Sequence, residues 1–119
     1  VNLAGGPADI DQPTSALAAI LPAAPPAPEA FLALMRPRLE RWAQILEKEG
    51  FAALREAWLS RAHGLGGPAR AQIGETTVEG RMIGLSAHGE LEIETAAGLR
   101  YISAGDIHFP ESSPTPNKA

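Results

Sequence analysis

Residues 76–95 read TTVEGRMIGLSAHGELEIET, and this stretch decides the fold of the second half of the chain. Its first ten residues, rich in β-branched and apolar side chains, predict a strand, in which Gly80 and Gly84 indicate a bend or a bulge. Residues 86–89 have the composition of a turn. In the segment that follows, polar and apolar side chains alternate, so Leu91 and Ile93 are predicted to point inward.

Further strand-like segments flank this hairpin and are separated by glycine-containing turns. Residues 69–73 precede it, after Pro68, and residues 99–103 and 105–109 follow it. Short strands joined in this way predict an antiparallel meander, and strongly bent strands allow a meander to close into a small barrel. Residues 111–119 are polar and rich in Pro and Ser, and we expect this tail to be disordered.

The start of the chain has the composition of a long loop. Residues 5–28 are rich in Gly, Pro, Ala and Asp, and their prolines exclude a regular helix or a central strand. One short helical turn is predicted near residues 15–20, with Thr14 or Ser15 as its cap.

Two helices are predicted between Pro28 and residue 62. The first begins at Pro28, because proline is favoured in the first helical turn, and it ends at Gly50. Pro37 lies inside it and predicts a kink or a split into two helices. Its apolar residues recur at steps of three and four and form one stripe: Phe31, Met35, Leu39, Trp42 and Leu46. The second helix is predicted over residues 51–62.

Composition limits the classes of function. The net charge is −4 and the basic residues are scattered, so the sequence does not supply the concentrated basic face that nucleic acids require. No run of about 18 apolar residues is present for a membrane span. The absence of Cys excludes disulfides and thiol chemistry and favours a reducing, cytoplasmic setting.

Patterns for catalysis or metal binding are weak. We predict no metal site, because the three histidines fall in different elements without ligand spacing: His63, His88 and His108. Three glutamates alternate along one strand, and we interpret them as a solvated outer face rather than an acid–base pair: Glu90, Glu92 and Glu94. Neither a nucleophile elbow nor a phosphate-binding loop is found in the sequence.

Taken in order, several short motifs resemble the C-terminal part of bacterial biotin–protein ligases. Residues 1–4, Val-Asn-Leu-Ala, resemble the second half of that family's Gly-x-Asn-hydrophobic-Ala/Asn signature. Residues 13–17 resemble its Ser-Leu segment, and residues 49–51, Glu-Gly-Phe, together with Trp58 resemble its helix joint and second helix. Nine residues match the barrel pattern of the family: Gly80, Gly84, Leu85, Gly89, Leu91, Gly98, Gly105, Asp106 and Ile107.

This resemblance implies an α+β fold. The end of a ligase catalytic α/β domain, consisting of a strand, a loop and two helices, is expected over residues 1–64. A small SH3-like β-barrel is expected over residues 65–110, followed by the tail at 111–119.

The resemblance also implies an enzyme, as the full-length protein, with biotin and ATP as substrates. The family makes biotinyl-5′-AMP and then transfers biotin to a lysine of the biotin carboxyl-carrier domain of a carboxylase. Mg is expected with ATP, but no metal ligand is expected in this segment. The groups that neutralise the phosphates lie upstream in the family, so the upstream half of the same enzyme is an expected partner and the segment alone is expected to be inactive. No partner nucleic acid or membrane is expected for this segment.

Asn2 and Ala4 are the residues that the resemblance places at the nucleotide. In relatives the asparagine that corresponds to Asn2 bonds the adenine ring, and an amide suits this role because it donates and accepts at once. The alternative is that Asn2 bonds only the local backbone. The loop at residues 5–13 is expected to order over the adenylate and shield it from water. Arg100 and Asp106 are candidates for docking ATP or the carrier at the edge of the barrel, with a surface ion pair as the alternative.

Two alternative functions, protein interaction and RNA binding, require different features of the sequence. A non-enzymatic interaction module would use the helical hairpin to present a small SH3-like barrel that binds proteins or peptides. RNA binding would require a basic sheet face with several aromatic side chains. The strands instead carry several glutamates, and Tyr101 is the one tyrosine available for stacking on a base.

Overall fold

The computed structural model describes residues 1–10 and 13–110. The chain forms two compact units, Val1–Gln44 and Ile45–Ala119. The tail at 111–119, predicted to be disordered, lies outside the described residues. The elements are α1 (Leu17–Ile20), α2 (Pro28–Glu49), α3 (Phe51–Leu59), β1 (Pro68–Ile73), β2 (Thr76–Leu85), β3 (Leu91–Thr95), β4 (Gly98–Ile102) and β5 (Asp106–His108).

The described residues of the first unit contain helices and no strand. The strand expected at the start of the chain would belong to the sheet of the catalytic domain and stays a prediction. Asn2 and Leu3 use their backbone carbonyls to accept hydrogen bonds from the amides of Leu17 and Ala18, at 3.0 and 2.9 Å. These two hydrogen bonds tie the start of the chain to the start of α1.

α2 is one continuous helix with Pro37 inside it, so the proline does not split the helix in two. None of its residues is buried. Most of its predicted apolar stripe is exposed: Met35, Leu39, Trp42 and Leu46. No helix in the described part of the chain combines the length and the apolar character that a membrane span requires.

The second unit is built on a five-stranded antiparallel sheet in the order β4-β3-β2-β1-β5. All five strands lie close to their predicted positions, and the β2–β3 ladder shifts register between Met82 and Gly84, as the predicted bulge requires. β4 and β5 are the two edges of this order, and no ladder joins them among the described residues. The sheet is therefore open, and its strand order is consistent with an SH3-like domain.

One face of the sheet forms the core. Directly opposed residues on paired strands share a face, so Met82 and Ile93 point to the same side and are almost completely buried. Leu91, also predicted to point inward, is half-buried and packs against the same cluster. The buried cluster consists of Ala69, Ala71, Val78, Met82, Ile93 and Ile102.

The opposite face of the sheet carries cross-strand ion pairs. Arg70 lies 2.8 Å from Glu79, and Arg81 lies 2.7 Å from Glu94, each pair being directly opposed in its ladder. All four side chains are about half exposed or more, so each pair contributes at most about 1 kcal/mol to stability. Their main effect is to favour one register over its alternatives.

α3 is attached to the sheet at the β2–β3 hairpin. The Nε of Arg55 donates a hydrogen bond to the carbonyl of Leu85, the last residue of β2. The ring of Phe51 lies next to Gly89 in the following turn. Gly50, which separates α2 from α3, has a φ of 80°, a conformation that glycine adopts without strain.

The glycine-rich segment between α3 and β1 is also held by the sheet. The amide of Gly66 donates to the carbonyl of Met82 at 2.7 Å, and the amide of Met82 donates to the carbonyl of Gly67 at 3.0 Å. Beyond β5, the ring of Phe109 packs edge-on against His63, with ring centres 5.2 Å apart. The two ends of the sheet domain are thus fastened to each other.

Gly80 marks the closest approach of β2 to β3. A Cβ at this position would lie 2.2 Å from the carbonyl oxygen of Glu94 and 2.8 Å from the Cγ2 of Ile93. These atoms belong to the backbone and to a fully buried side chain, so neither can move aside cheaply. The bend that the sequence predicts in β2 therefore depends on the absence of a side chain at Gly80.

We expect Gly80→Ala to lower the free energy of unfolding by about 3 kcal/mol, because the added methyl must displace the β3 backbone. The matched control is Gly84→Ala, whose methyl would meet only the flexible carboxylate of Glu92, at 3.3 Å. This control should lose less than about 1 kcal/mol. Urea unfolding of each variant gives both free energies of unfolding. Equal decreases for the two variants would contradict the close packing of β2 on β3 at Gly80.

Candidate functional site

Asn2 lies in a non-strand segment that is tied to the start of α1. Its side-chain Nδ2 donates a hydrogen bond to the backbone carbonyl of Ser15 at 3.1 Å. Its backbone carbonyl accepts from Leu17, as described above. The local backbone contact that the sequence left as an alternative role for Asn2 is therefore present. Ala4 is exposed in the bend immediately after Asn2 and Leu3.

Two other residues complete a small cluster around Asn2. The hydroxyl of Thr14 donates to the carbonyl of Pro7 at 3.1 Å, which joins the two arms of the loop at residues 5–13. Gly6 packs so closely on the amide that a Cβ there would lie 2.9 Å from Nδ2 of Asn2. Two residues of this loop, 11 and 12, lie outside the described residues. We refer to Asn2, Gly6, Thr14 and Ser15 as the Asn2 cluster.

The cluster corrects one prediction and adds residues that the sequence did not indicate. Neither Thr14 nor Ser15 caps α1, because the N-cap residue is Ala16 and no side chain bonds to the helix start. Thr14 instead bonds across the loop and Ser15 accepts from Asn2. Contacts between residues 13 positions apart leave no periodic signal in a sequence.

The side chain of Asn2 retains unused hydrogen-bonding capacity. A primary amide has two N–H donors and one carbonyl acceptor, and Ser15 takes one donor. The second N–H and Oδ1 have no partner among the described residues. Adenine offers a matching pair in its exocyclic amino group and the adjacent ring nitrogen, so the free side of the amide suits a purine edge.

Arg100 and Asp106 do not form one site. Arg100 lies on the edge strand β4 opposite Ile93, so it shares the core side of the sheet at an exposed edge. Asp106 lies on the other edge strand, β5, opposite Gln72 on the polar face. No ion pair joins Arg100 to Asp106 among the described residues. The surface ion pair given as the alternative for these residues is therefore wrong.

Other candidate groups do not form a reactive centre in the described part of the chain. No group of three or more His, Cys, Asp or Glu residues that could hold a metal ion is present there. An open groove of about 530 Å³ on the polar face is lined by Arg70, Gln72, Thr77 and Glu79. These side chains already bond to each other, Arg70 to Glu79 and Thr77 to Gln72. The Asn2 cluster is thus the best-supported candidate for binding a small molecule.

Comparisons with known proteins agree with this architecture. Residues 65–109 match the family described as Biotin protein ligase C terminal domain. The chain is 39% identical over 82 residues to biotin–[acetyl-CoA-carboxylase] ligase from Paracoccus denitrificans, a match that covers 69% of this chain and 34% of that relative. The chain thus spans about a third of the length of this curated relative.

Solved structures of biotin protein ligase from Aquifex aeolicus share the fold. The apo structure has a TM-score of 0.78 at 20% identity, and the match covers 92% of this chain and 51% of that one. The structure in complex with biotin and ATP has a TM-score of 0.79 at 19% identity, covering 92% and 48%. At this level of identity the structural likeness shows the fold alone.

The fold and the matches define a class of protein: helices that precede a small open antiparallel sheet, which matches the Biotin protein ligase C terminal domain. Within that class, the chain corresponds to a C-terminal portion of a biotin protein ligase.

We predict that Arg100 and Asp106 act independently, because they occupy opposite edges and opposite faces of the sheet. In the full-length protein, the effects of Arg100→Ala and Asp106→Ala on the KM for ATP and on the free energy of unfolding should add within about 0.5 kcal/mol. The double variant tests this sum. A coupling above about 1 kcal/mol would mean that the two residues share one site.

Proposed function

We propose that this chain is part of an enzyme that joins biotin and ATP into biotinyl-5′-AMP and then transfers biotin to a lysine of a biotin carboxyl-carrier domain. The observation that carries the proposal is the 39% identity over 82 residues to a biotin–[acetyl-CoA-carboxylase] ligase. Biotin and ATP, the substrates in this proposal, are the two ligands in the solved complex of the Aquifex aeolicus biotin protein ligase. We place this activity in the cytoplasm.

The proposed reaction has two steps. The biotin carboxylate attacks the α-phosphorus of ATP, which forms the mixed anhydride and releases pyrophosphate. The lysine amine then attacks the acyl carbonyl, loses its proton, and releases AMP. Both steps depend on positioning the reactants and neutralising the phosphate charge. In this proposal the groups that neutralise the phosphates belong to the upstream half of the enzyme.

The part of the reaction assigned to this chain is the recognition of adenine. The unused N–H and Oδ1 of Asn2 pair with the ring nitrogen and the amino group of the base. Ala4, exposed next to the same bend, offers a small apolar surface beside the ring. Gly6 lies next to this amide, and Thr14 bonds to Pro7 beside it, a position from which these residues shield the anhydride from water.

The remaining assignments follow the same proposal. Residues 1–64 end the catalytic domain, residues 65–110 form the C-terminal domain, and the carrier domain is the partner of the whole enzyme. The match of residues 65–109 to the family's C-terminal domain supports the second of these assignments. Mg²⁺ is expected with ATP, but no described group of side chains in this segment fits a metal ion, so no step here passes through it.

Biotin transfer tests the proposal directly. The full-length protein is incubated with biotin, ATP and a carrier domain, and we expect a biotinylated lysine together with one equivalent of pyrophosphate. The 119-residue chain alone should give neither product, and adding the upstream half should restore both. A carrier with its target lysine replaced by arginine is the control. Binding of a carrier or peptide without any biotin transfer would favour a non-enzymatic interaction module.

The adenine assignment has its own test. We expect Asn2→Ala in the full-length enzyme to raise the KM for ATP about tenfold, because two hydrogen bonds to the base are lost, and to leave the KM for biotin unchanged. Ile20→Ala is a suitable control because Ile20 ends α1 and is 69% exposed. An equal rise in the KM for ATP and in the KM for biotin would contradict this role for Asn2.

A further inference from the structure

The amide of Asn2 is held in one orientation by its neighbours. Its Nδ2 donates to the carbonyl of Ser15. If the amide rotated by half a turn, Oδ1 would face that carbonyl instead, and two acceptors would be in contact without a proton between them. The hydrogen bond therefore decides which end of the amide faces Ser15 and which atoms remain for a ligand.

The carbonyl of Ser15 is itself fixed. Two backbone hydrogen bonds join the segments that carry Asn2 and Ser15. The amide of Leu17 donates to the carbonyl of Asn2, and the amide of Ala18 donates to the carbonyl of Leu3. Ala16, next to Ser15, is among the buried residues of the chain. The acceptor is therefore part of an ordered backbone, and the amide is oriented before any nucleotide binds.

Gly6 packs closely against the Nδ2 atom of the amide. A Cβ at Gly6 would lie 2.9 Å from Nδ2 of Asn2 and 3.4 Å from Cβ of Thr14. The backbone of Gly6 is outside the left-handed region, so an alanine there is not strained by its φ. The reason for glycine is therefore space next to the amide, and a methyl group at this position would push Nδ2 away from Ser15.

We propose that Gly6 and the Ser15 carbonyl are positioning groups that fix the orientation of the Asn2 amide and thereby select adenine over 6-oxopurines. This inference rests on the proposed binding of adenine by Asn2. Adenine presents an amino donor and a ring-nitrogen acceptor, whereas hypoxanthine presents a carbonyl acceptor and a ring N–H donor. A rotating amide matches both patterns, and an amide held by Ser15 matches only adenine.

The test compares two alanine variants in the full-length enzyme. Gly6→Ala should raise the KM for ATP and lower the ratio of kcat/KM for ATP over ITP by about tenfold. The KM for biotin and the Tm should stay unchanged. Gly5→Ala is the matched control, since a Cβ there meets no atom within 4 Å, and it should leave all four quantities unchanged. Loss of nucleobase selectivity separates positioning from a general weakening of the loop.

A second comparison shows whether Gly6 acts through the amide. Adding Gly6→Ala to Asn2→Ala removes the group that the new methyl would displace, so the double variant should behave like Asn2→Ala alone. Additive effects would overturn the inference, as would a Gly6→Ala variant in which Tm falls and biotin and ATP are affected equally.

The two proposals fail in different ways. If Asn2→Ala does not change the KM for ATP, the adenine assignment is wrong and the positioning role is wrong with it. If Asn2→Ala weakens ATP binding while Gly6→Ala behaves like Gly5→Ala, the adenine assignment stands and only the positioning role is overturned.

Discussion

The close approach of β2 to β3 at Gly80 is the constraint on which the sheet domain depends. Because no side chain separates the two backbones there, β2 packs directly on β3, and Met82 and Ile93 are paired in the core. Two residues farther along β2, the N–H and the C=O of Met82 both bond to the glycine-rich segment before β1. The absence of a Cβ at Gly80 thus allows β2 and β3 to pack closely beside the core residue to which the glycine-rich segment is bonded.

Local sequence patterns predicted this domain well because its signals are local. The alternation around Ile93, the paired glycines of β2 and the turns between strands each act over fewer than ten residues. What they could not indicate is whether the sheet closes. Closure depends on β4 meeting β5, and the described chain shows these strands as separate edges of an open sheet.

The first unit was less predictable because its contacts join distant residues. The sequence of residues 1–4 resembles a strand motif, and it does not indicate that the backbone of Asn2 and Leu3 bonds to the start of α1. Asn2 was identified as a candidate by resemblance alone. The contacts of Asn2 with Gly6 and Ser15 emerged only from the fold, because they depend on the path of the loop and not on any spacing in the sequence.

The family match and the compact unit of the sheet begin at different residues, because a long-range contact adds α3 to the unit. The family match begins at residue 65, whereas α3 belongs to the compact unit of the sheet. Arg55 explains the difference, because its side chain bonds to the carbonyl of Leu85 at the end of β2 and so attaches α3 to the sheet. A hydrogen bond between a charged donor and a backbone acceptor contributes about 1.5–3 kcal/mol, enough to keep a short helix with the domain that follows it. The family boundary therefore marks where the sequence similarity begins, whereas the compact unit begins earlier, at Ile45, and includes α3.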